Sequence, residues 1–420
     1  MIDNMKEKNE GRSNANISNM LLDSAVYAVK DRWEEETFGT VGAVPRQISN
    51  IVRCMKGIID SKRTLFKLTR KDLLIPRRHW EMKLDSTLLG KEFLLCLTIH
   101  FEDLAREYPI VWSHPYVNLF ASVVYRDSQR DARAGMVAKP IGYELCNWTG
   151  MRDRLPDGEL KILVDRLNDV VREIREEGQA QAFQEQLKRY WRPAVKNYRS
   201  LIDLIRAVHG ECHHLLVIRL DLSYLKAYGT SISYDEVRRH RIAFQRHLTR
   251  CKRLGGVYLG SAIKLERGAE KGLHYHALVF INGDVLHGDI AIANELGEHW
   301  NVSITGGKGT HFNCNSQSYG SKRGIGSIRY DDVKTRYNLE TRVAAYITKP
   351  DFFIYEAKHE DDHTFWRTYP PSERAVRRGR KRSKVDAIAA ISAMPLPSRP
   401  KRRSRAHAVS AKNREGQQTS

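Results

Sequence analysis

The spacing of apolar and polar positions changes near residue 210, and the two halves of the chain predict two kinds of architecture. Before that point the spacing is helical. Asp157–Glu177 places Leu160, Leu163, Leu167, Val170, Val171 and Ile174 at intervals of three and four, the stripe of an amphipathic helix. Glu92–Tyr108 mixes apolar and acidic positions at the same spacing, Val111–Tyr125 is rich in aromatics, and Gln179–Val208 has room for one or two more helices. Residues 20–207 are therefore predicted to form a helical domain without internal repeats, preceded by a polar, disordered segment 1–19.

After residue 210 strands enter. Leu215–Leu222 is a short apolar strand with Arg219 and Asp221 on one face. Ser233-Tyr-Asp-Glu236 has the form of a capping box opening a helix that runs to about Arg253, where Gly255-Gly256 ends it. Val257–Glu266 and Leu273–Ile281 form a hairpin, Ile290–Trp300 a second helix, and Val302–Ile304, the surroundings of His311, and Ile325–Tyr330 further strands. Asn338–Lys349 is a helix halted by Pro350. Strand, helix, strand, strand, helix, strand is the ferredoxin-like order. It predicts an α+β fold for residues 210–360, an antiparallel sheet with helices on one face and the other face open to carry a site.

The hairpin carries the candidate chemistry. His274 and His276 are two apart in a strand, so both imidazoles leave the same face, about 7 Å apart along the chain. If the loop is Arg267–Leu273, Glu266 stands opposite His274 on that face, giving two nitrogens and a carboxylate for one cation. Such a set suits Mg²⁺ or Mn²⁺, although two histidines also accept Zn²⁺ or Ni²⁺. In the last helix Leu339, Val343 and Ile347 form the apolar stripe. Tyr346 falls at its edge, with Arg342 and Lys349 just beyond. Beside a metal-binding strand, that phenol is a candidate nucleophile. Asp221 is either the partner that orients one histidine or an acidic strand end. Cys212-His213-His214 is set aside as a metal cluster because adjacent strand residues point apart.

Asp221 in its strand, then Glu266, His274-Tyr-His276 and Tyr346-x-x-Lys349 resemble the single-tyrosine HUH endonucleases. Within that superfamily the chain is most similar to the replication initiators of filamentous phages and to prophage proteins sharing the YagK/YfjJ C-terminal domain. The likeness covers roughly residues 210–355 and includes Arg219-Leu-Asp-Leu-Ser-Tyr224 and Gly324-Ile-Gly326. Tyr275 stands where many members have an aliphatic residue, on the face turned away from the site. The resemblance implies rolling-circle initiation: Tyr346 attacks a phosphate of single-stranded or hairpin origin DNA, leaving a 5′-phosphotyrosine and a 3′-hydroxyl that can later rejoin the strand. It places Lys349 at the family's lysine position, where it either lowers the phenol's pKa or stabilises charge on the phosphorane. The alternative for Lys349 is an ordinary cation at a helix C-terminus. Arg219, Lys322, Arg323, Arg329 and Arg342 are candidates to track the DNA strand.

Composition agrees with a polyanionic partner. The net charge is +20 over 420 residues. The segment 371–420 holds fourteen Lys and Arg against three Asp and Glu, eleven of those twenty net charges. It is predicted to be a disordered basic arm that holds phosphates without reading sequence. No apolar run approaches the ~20 residues of a membrane span, and the first residues lack the apolar core of a signal peptide, so a cytoplasmic location in a bacterial host is expected. Six scattered cysteines without a Cys-x-x-Cys pair fit a reducing compartment. The chain has no Gly-x-x-x-x-Gly-Lys-Ser/Thr loop, so a separate host helicase and polymerase would be needed. Two other readings stay open: a relaxase or single-strand transposase with the same residues, and a prophage DNA-binding regulator that has the fold but does not cut.

Overall fold

A computed structural model describes residues 17–21, 43–75, 78–99, 101, 114–125, 145–147, 149–150, 155–229, 231–268, 272–350 and 363–370. The predicted basic arm, 371–420, and most of the predicted disordered start lie outside these residues. Residues 17–19, assigned to that start, are instead part of a helical turn in which Ile17, Met20 and Leu21 are buried.

The first half packs helices α1 (Ala43–Asp60), α2 (Leu88–Leu97), α3 (Pro115–Val124), α4 (Asp157–Gln179) and α5 (Gln181–Glu211). The stripe read from the sequence of α4 is its buried face: Leu160, Leu163, Leu167, Val170, Val171 and Ile174 are all inside. This half is not wholly helical, however. Strands β1 (Phe66–Ile75) and β2 (Arg78–Ser86) form an antiparallel hairpin, Phe66 opposite Ser86. No helix among the described residues is long and apolar enough to cross a membrane.

The second half is an antiparallel sheet. Its strands are β3 (His214–Tyr224), β4 (Tyr258–Gly268), β5 (Gly272–Asn282), β6 (Gly309–Asn313), β7 (Gly326–Arg329) and β8 (Phe365–Arg367). The order is β6-β3-β5-β4-β8, with β7 pairing the other end of β3. Helix α6 (Tyr234–Arg250) links β3 to β4, and α7 (Asp289–His299) links β5 to β6. Ser233 caps α6 by accepting from the Glu236 amide at 3.2 Å. The predicted capping box is only half made, because the Glu236 carboxylate pairs with Lys308 at 2.8 Å. The strand expected at Val302–Ile304 is a π-turn continuing α7, Trp300–Ile304. The chain closes through α8 (Val333–Asn338), a second π-turn (Leu339–Val343) and α9 (Ala344–Thr348).

Alternation along the strands sends each residue to one of two cores. Leu216, Ile218, Leu220 and Leu222 of β3 join Tyr275, Ala277, Val279 and Ile281 of β5 against Phe244 of α6 and Ile292 and Trp300 after β5. On the opposite face, Leu215, Val217, Leu278 and Phe280 share a core with Leu201, Leu204 and Ile205 of α5 and with Leu339, Val343 and Ile347. The sequence-based expectation of helices on one face only is thus overturned. Helices cover both faces, and α5 runs to within three residues of β3, so the helical half and the sheet share one continuous core. The reason is the strands themselves: β5 is buried along nearly its whole length, and both its faces need apolar cover.

Candidate metal and tyrosine site

The site lies where the second core ends. Going along β3 on that face, Leu215 and Val217 give way to Arg219 and Asp221; on β5, Phe280 and Leu278 give way to His276 and His274. On β4, Ala262 is followed by Lys264 and Glu266. The ladders align these breaks. Asp221 is opposite His276, His276 opposite Lys264, and Glu266 opposite His274, the register expected from the loop length. The tight return depends on Gly272, which has φ +60° and whose Cβ would lie 2.5 Å from the Gly229 carbonyl oxygen; only glycine is at ease there.

Glu266, His274 and His276 are all buried, and one ligand atom from each lies within 4.8 Å of the others. Second contacts set the imidazoles. His276 Nδ1 is 2.5 Å from the Asp221 carboxylate, and His274 Nδ1 is 3.1 Å from the Gly272 carbonyl. Both partners can only accept, so each Nδ1 carries a proton and Nε2 is the atom each ring would offer a cation, on His276 in place of the proton that faces Glu266. Two such nitrogens with a buried carboxylate fit a divalent ion, and the choice among Mg²⁺, Mn²⁺ and softer ions is not encoded in the donor set. Asp221 is therefore the orienting partner of His276, the first of its two sequence-based alternatives.

Charge is balanced tightly. His276 Nε2 is 3.2 Å from Glu266 Oε2, and Lys349 donates to Glu266 Oε1 at 2.5 Å. Burial works against the Glu266 charge, but the Lys349 ammonium and the His276 ring hold its carboxyl well below the usual range. Burial likewise opposes protonation of His276, and Asp221, Tyr346 and Glu266 overcome it, raising the imidazole to about 9.

Tyr346 is half-buried at the margin of the shared core. Its ring centroid is 5.1 Å from that of His276, edge to face. The Lys349 ammonium lies 4.1 Å and the Arg219 guanidinium 4.5 Å from the same ring centre. Lys349 is buried, ends α9 just before Pro350 and bridges Tyr346 to Glu266. It is no ordinary surface cation at a helix end. Arg219 is held charged against burial by Cys314, Asp221 and Tyr346.

The remaining candidates sit elsewhere. Arg329 pairs with Asp331 at 2.9 Å and is opposite His214, at the far end of β3, so the structure does not bring it to the site. Arg323 is directed to the Ile325 carbonyl and to Asp289, at the start of α7. Lys322 is exposed in the neighbouring turn. Arg342 is exposed one turn before Tyr346, its Nε on Asn338. His213 and His214, set aside as ligands, use their amides to bind Asp284. Two residues were missed. Lys264 is buried on the site face and donates to Thr364 at 2.8 Å. Tyr319 feels Cys314, Arg219 and Asp221, and burial pushes its hydroxyl up to about 12. Period-two alternation from Glu266 finds Lys264; nothing local in the sequence finds Tyr319.

Comparison of the chain with models of known protein families, with curated proteins and with solved structures gave no match.

Proposed function

We propose that this protein is a metal-dependent enzyme that nicks and rejoins single-stranded DNA through Tyr346, acting as a rolling-circle replication initiator of a phage or prophage in a bacterial cytoplasm. The observation that carries this reading is the placing of one phenol, flanked by Arg219 and Lys349, against His276 of a buried Glu-His-His group. The strand order β6-β3-β5-β4 with α6 and α7 as connections is in keeping with a ferredoxin-like domain of the HUH type.

Glu266, His274 and His276 would hold a divalent ion, Mg²⁺ or Mn²⁺, which when bound supplies Lewis-acid polarisation of the scissile phosphate. The chain's own groups do the rest. Arg219 and Lys349 hold the phosphate's negative charge next to Tyr346. The Tyr346 oxygen bonds to phosphorus, the P–O3′ bond breaks, the phenolic proton leaves to solvent, and the departing 3′ oxygen takes up a proton. The phosphotyrosyl ester keeps the energy of the broken bond, so a 3′-hydroxyl attacking it restores the strand and the phenol. The buried site admits only an unpaired strand, and helicase and polymerase activities come from host partners.

The test is incubation with a single-stranded hairpin library and Mn²⁺, followed by denaturing electrophoresis. A covalent protein–DNA adduct that Tyr346→Phe abolishes is the expected outcome. His274→Ala should abolish the adduct while leaving DNA binding intact. Tight DNA binding by the parent chain with no adduct for any strand would instead support the non-cutting regulator.

A further inference from the structure

Beside the site the sheet ends in β6, and Phe312 is directly opposite Asp221 in the β3–β6 ladder. Residues opposite each other in an antiparallel pair share a face. The phenyl therefore stands on the face that carries Asp221 and His276. Its neighbours take the other face: His311 is 3.0 Å from Asn301 and packs where a Cβ on Gly297 would fall, and Asn313 donates to the Ile290 carbonyl and to Asn294 of α7. Phe312 is 50% exposed, whereas Phe244 and Phe280 of the same sheet region are fully buried. One strand, β3, separates it from His276, and two strand spacings come to about 10 Å. A half-exposed ring thus adjoins the site in which Arg219 and Lys349 border Tyr346.

We propose that Phe312 is a stacking platform for a nucleobase of single-stranded DNA, next to the phosphate presented to Tyr346. The assignment rests on the function proposed above for its choice of ligand. A phenyl has a face but no hydrogen-bonding group, so it grips any base, whereas the cations beside it take the backbone. It settles the strand's direction across the sheet: from the Tyr346 end over Asp221 to the β6 edge.

Base stacking on an aromatic is worth ~1–3 kcal/mol, so Phe312→Ala should weaken binding of a short oligonucleotide roughly 5- to 150-fold. The measurement is fluorescence anisotropy on the full chain carrying Tyr346→Phe, which prevents covalent capture. Phe312→Trp should restore affinity. The slope of log affinity against log salt should stay the same in both variants, because no phosphate contact is lost. Scanning one abasic position through the oligonucleotide should reveal a single position whose penalty disappears in Phe312→Ala. Unchanged affinity in Phe312→Ala, an abasic scan indifferent to Phe312, or no binding of single strands by the parent chain overturns the proposal. So does a change of sedimentation coefficient in Phe312→Ala, which would assign the ring to a second copy of the chain. An adduct at Tyr346 with Phe312→Ala unaffected sinks only the platform; stacking without any adduct sinks only the nicking.

Discussion

Tyr275 and His276 are neighbours in β5, are equally hidden, and live in opposite surroundings. Tyr275 turns to the α6–α7 face, with its ring 6.1 Å from Trp300 and 6.3 Å from Trp366 and its hydroxyl donating to the Val237 carbonyl at 3.1 Å. His276 turns to the other face, between two carboxylates. On the first face the apolar set runs the length of the strands; on the second it stops halfway and is replaced by Arg219, Asp221, Lys264, Glu266, His274 and His276. Removing charges from water costs more than their mutual attraction reliably returns, so a core has no need of this cluster. The first face accounts for the fold, and the second is where the proposed function places its chemistry.

The sharpest way to break that contrast is to truncate each face in turn. Tyr275→Ala should cost ~3–5 kcal/mol of stability, as large aromatic deletions do, read from denaturant unfolding. The folded fraction should still gain stability on adding Mn²⁺. Glu266→Gln should do the reverse: the metal-dependent gain, about 2.7 kcal/mol at a hundred times the dissociation constant, should vanish. If Glu266→Gln keeps the gain, the cation is held elsewhere.

A second contrast concerns two buried imidazoles. His276 sits among carboxylates and is raised to about 9, whereas burial in the helical half lowers His114 to about 3. The neutral state of His114 is structural, since its Nδ1 accepts the Tyr116 amide at 3.2 Å at the start of α3. Its folded pKa is below its unfolded one, so a proton binds the unfolded chain first. Stability from this group is full above about pH 6.5 and is lost as pH falls towards 3, by up to about 5 kcal/mol. His114→Asn, which can cap the same helix without titrating, should flatten that part of the stability–pH curve. An unchanged curve would mean that His114 takes up its proton at the same pH folded and unfolded.

Much of the charged face was legible in the sequence because its information is local. His-x-His fixes a shared face, and a short glycine-bounded loop aligns Glu266 with His274. The stripe of Leu339, Val343 and Ile347 orients Tyr346. What was illegible is set by distant contacts. β1 and β2 mix charged and apolar residues in a pattern that does not decide between helix and strand. The cover that α5 gives the sheet joins residues far apart in the chain, and no local period announces it. The same holds for Lys349, whose helix-end position says nothing about a partner eighty-three residues earlier. The two π-turns reflect tertiary packing and leave no propensity signal.

One of those distant contacts gives the helical half a task. Arg206 of α5 binds Glu340 at 2.8 Å, and Tyr198 donates to the Glu340 carbonyl at 3.1 Å, both in the π-turn that leads to Tyr346. Glu340 is buried, so Arg206→Ala strands its carboxylate; with Arg206 itself one-third exposed, a loss of ~1–2 kcal/mol is expected. Hydrogen exchange should rise in residues 339–349 and stay level in β5. Uniform exchange across both would show that α5 merely adds bulk stability.

The smallest effect is expected from Arg329, and it tests the geometry by its silence. Its partner Asp331 is two residues away, both side chains are exposed, and the pair is bidentate at 2.9 and 3.0 Å. Exposed pairs contribute little, so Arg329→Ala should shift stability by no more than ~0.5 kcal/mol. It lies opposite His214, seven residues from Asp221, which is about 23 Å along β3. A strand passing from Tyr346 to the β6 edge leaves the sheet in the other direction. Adduct formation in Arg329→Ala should therefore match the parent, and the salt slope of DNA binding should fall by at most about one. Arg329 also shares the face of His214, Leu216 and Ile218, the reverse of the face that carries Asp221 and His276, so a tenfold loss of adduct would instead place DNA on the α6–α7 side of the sheet.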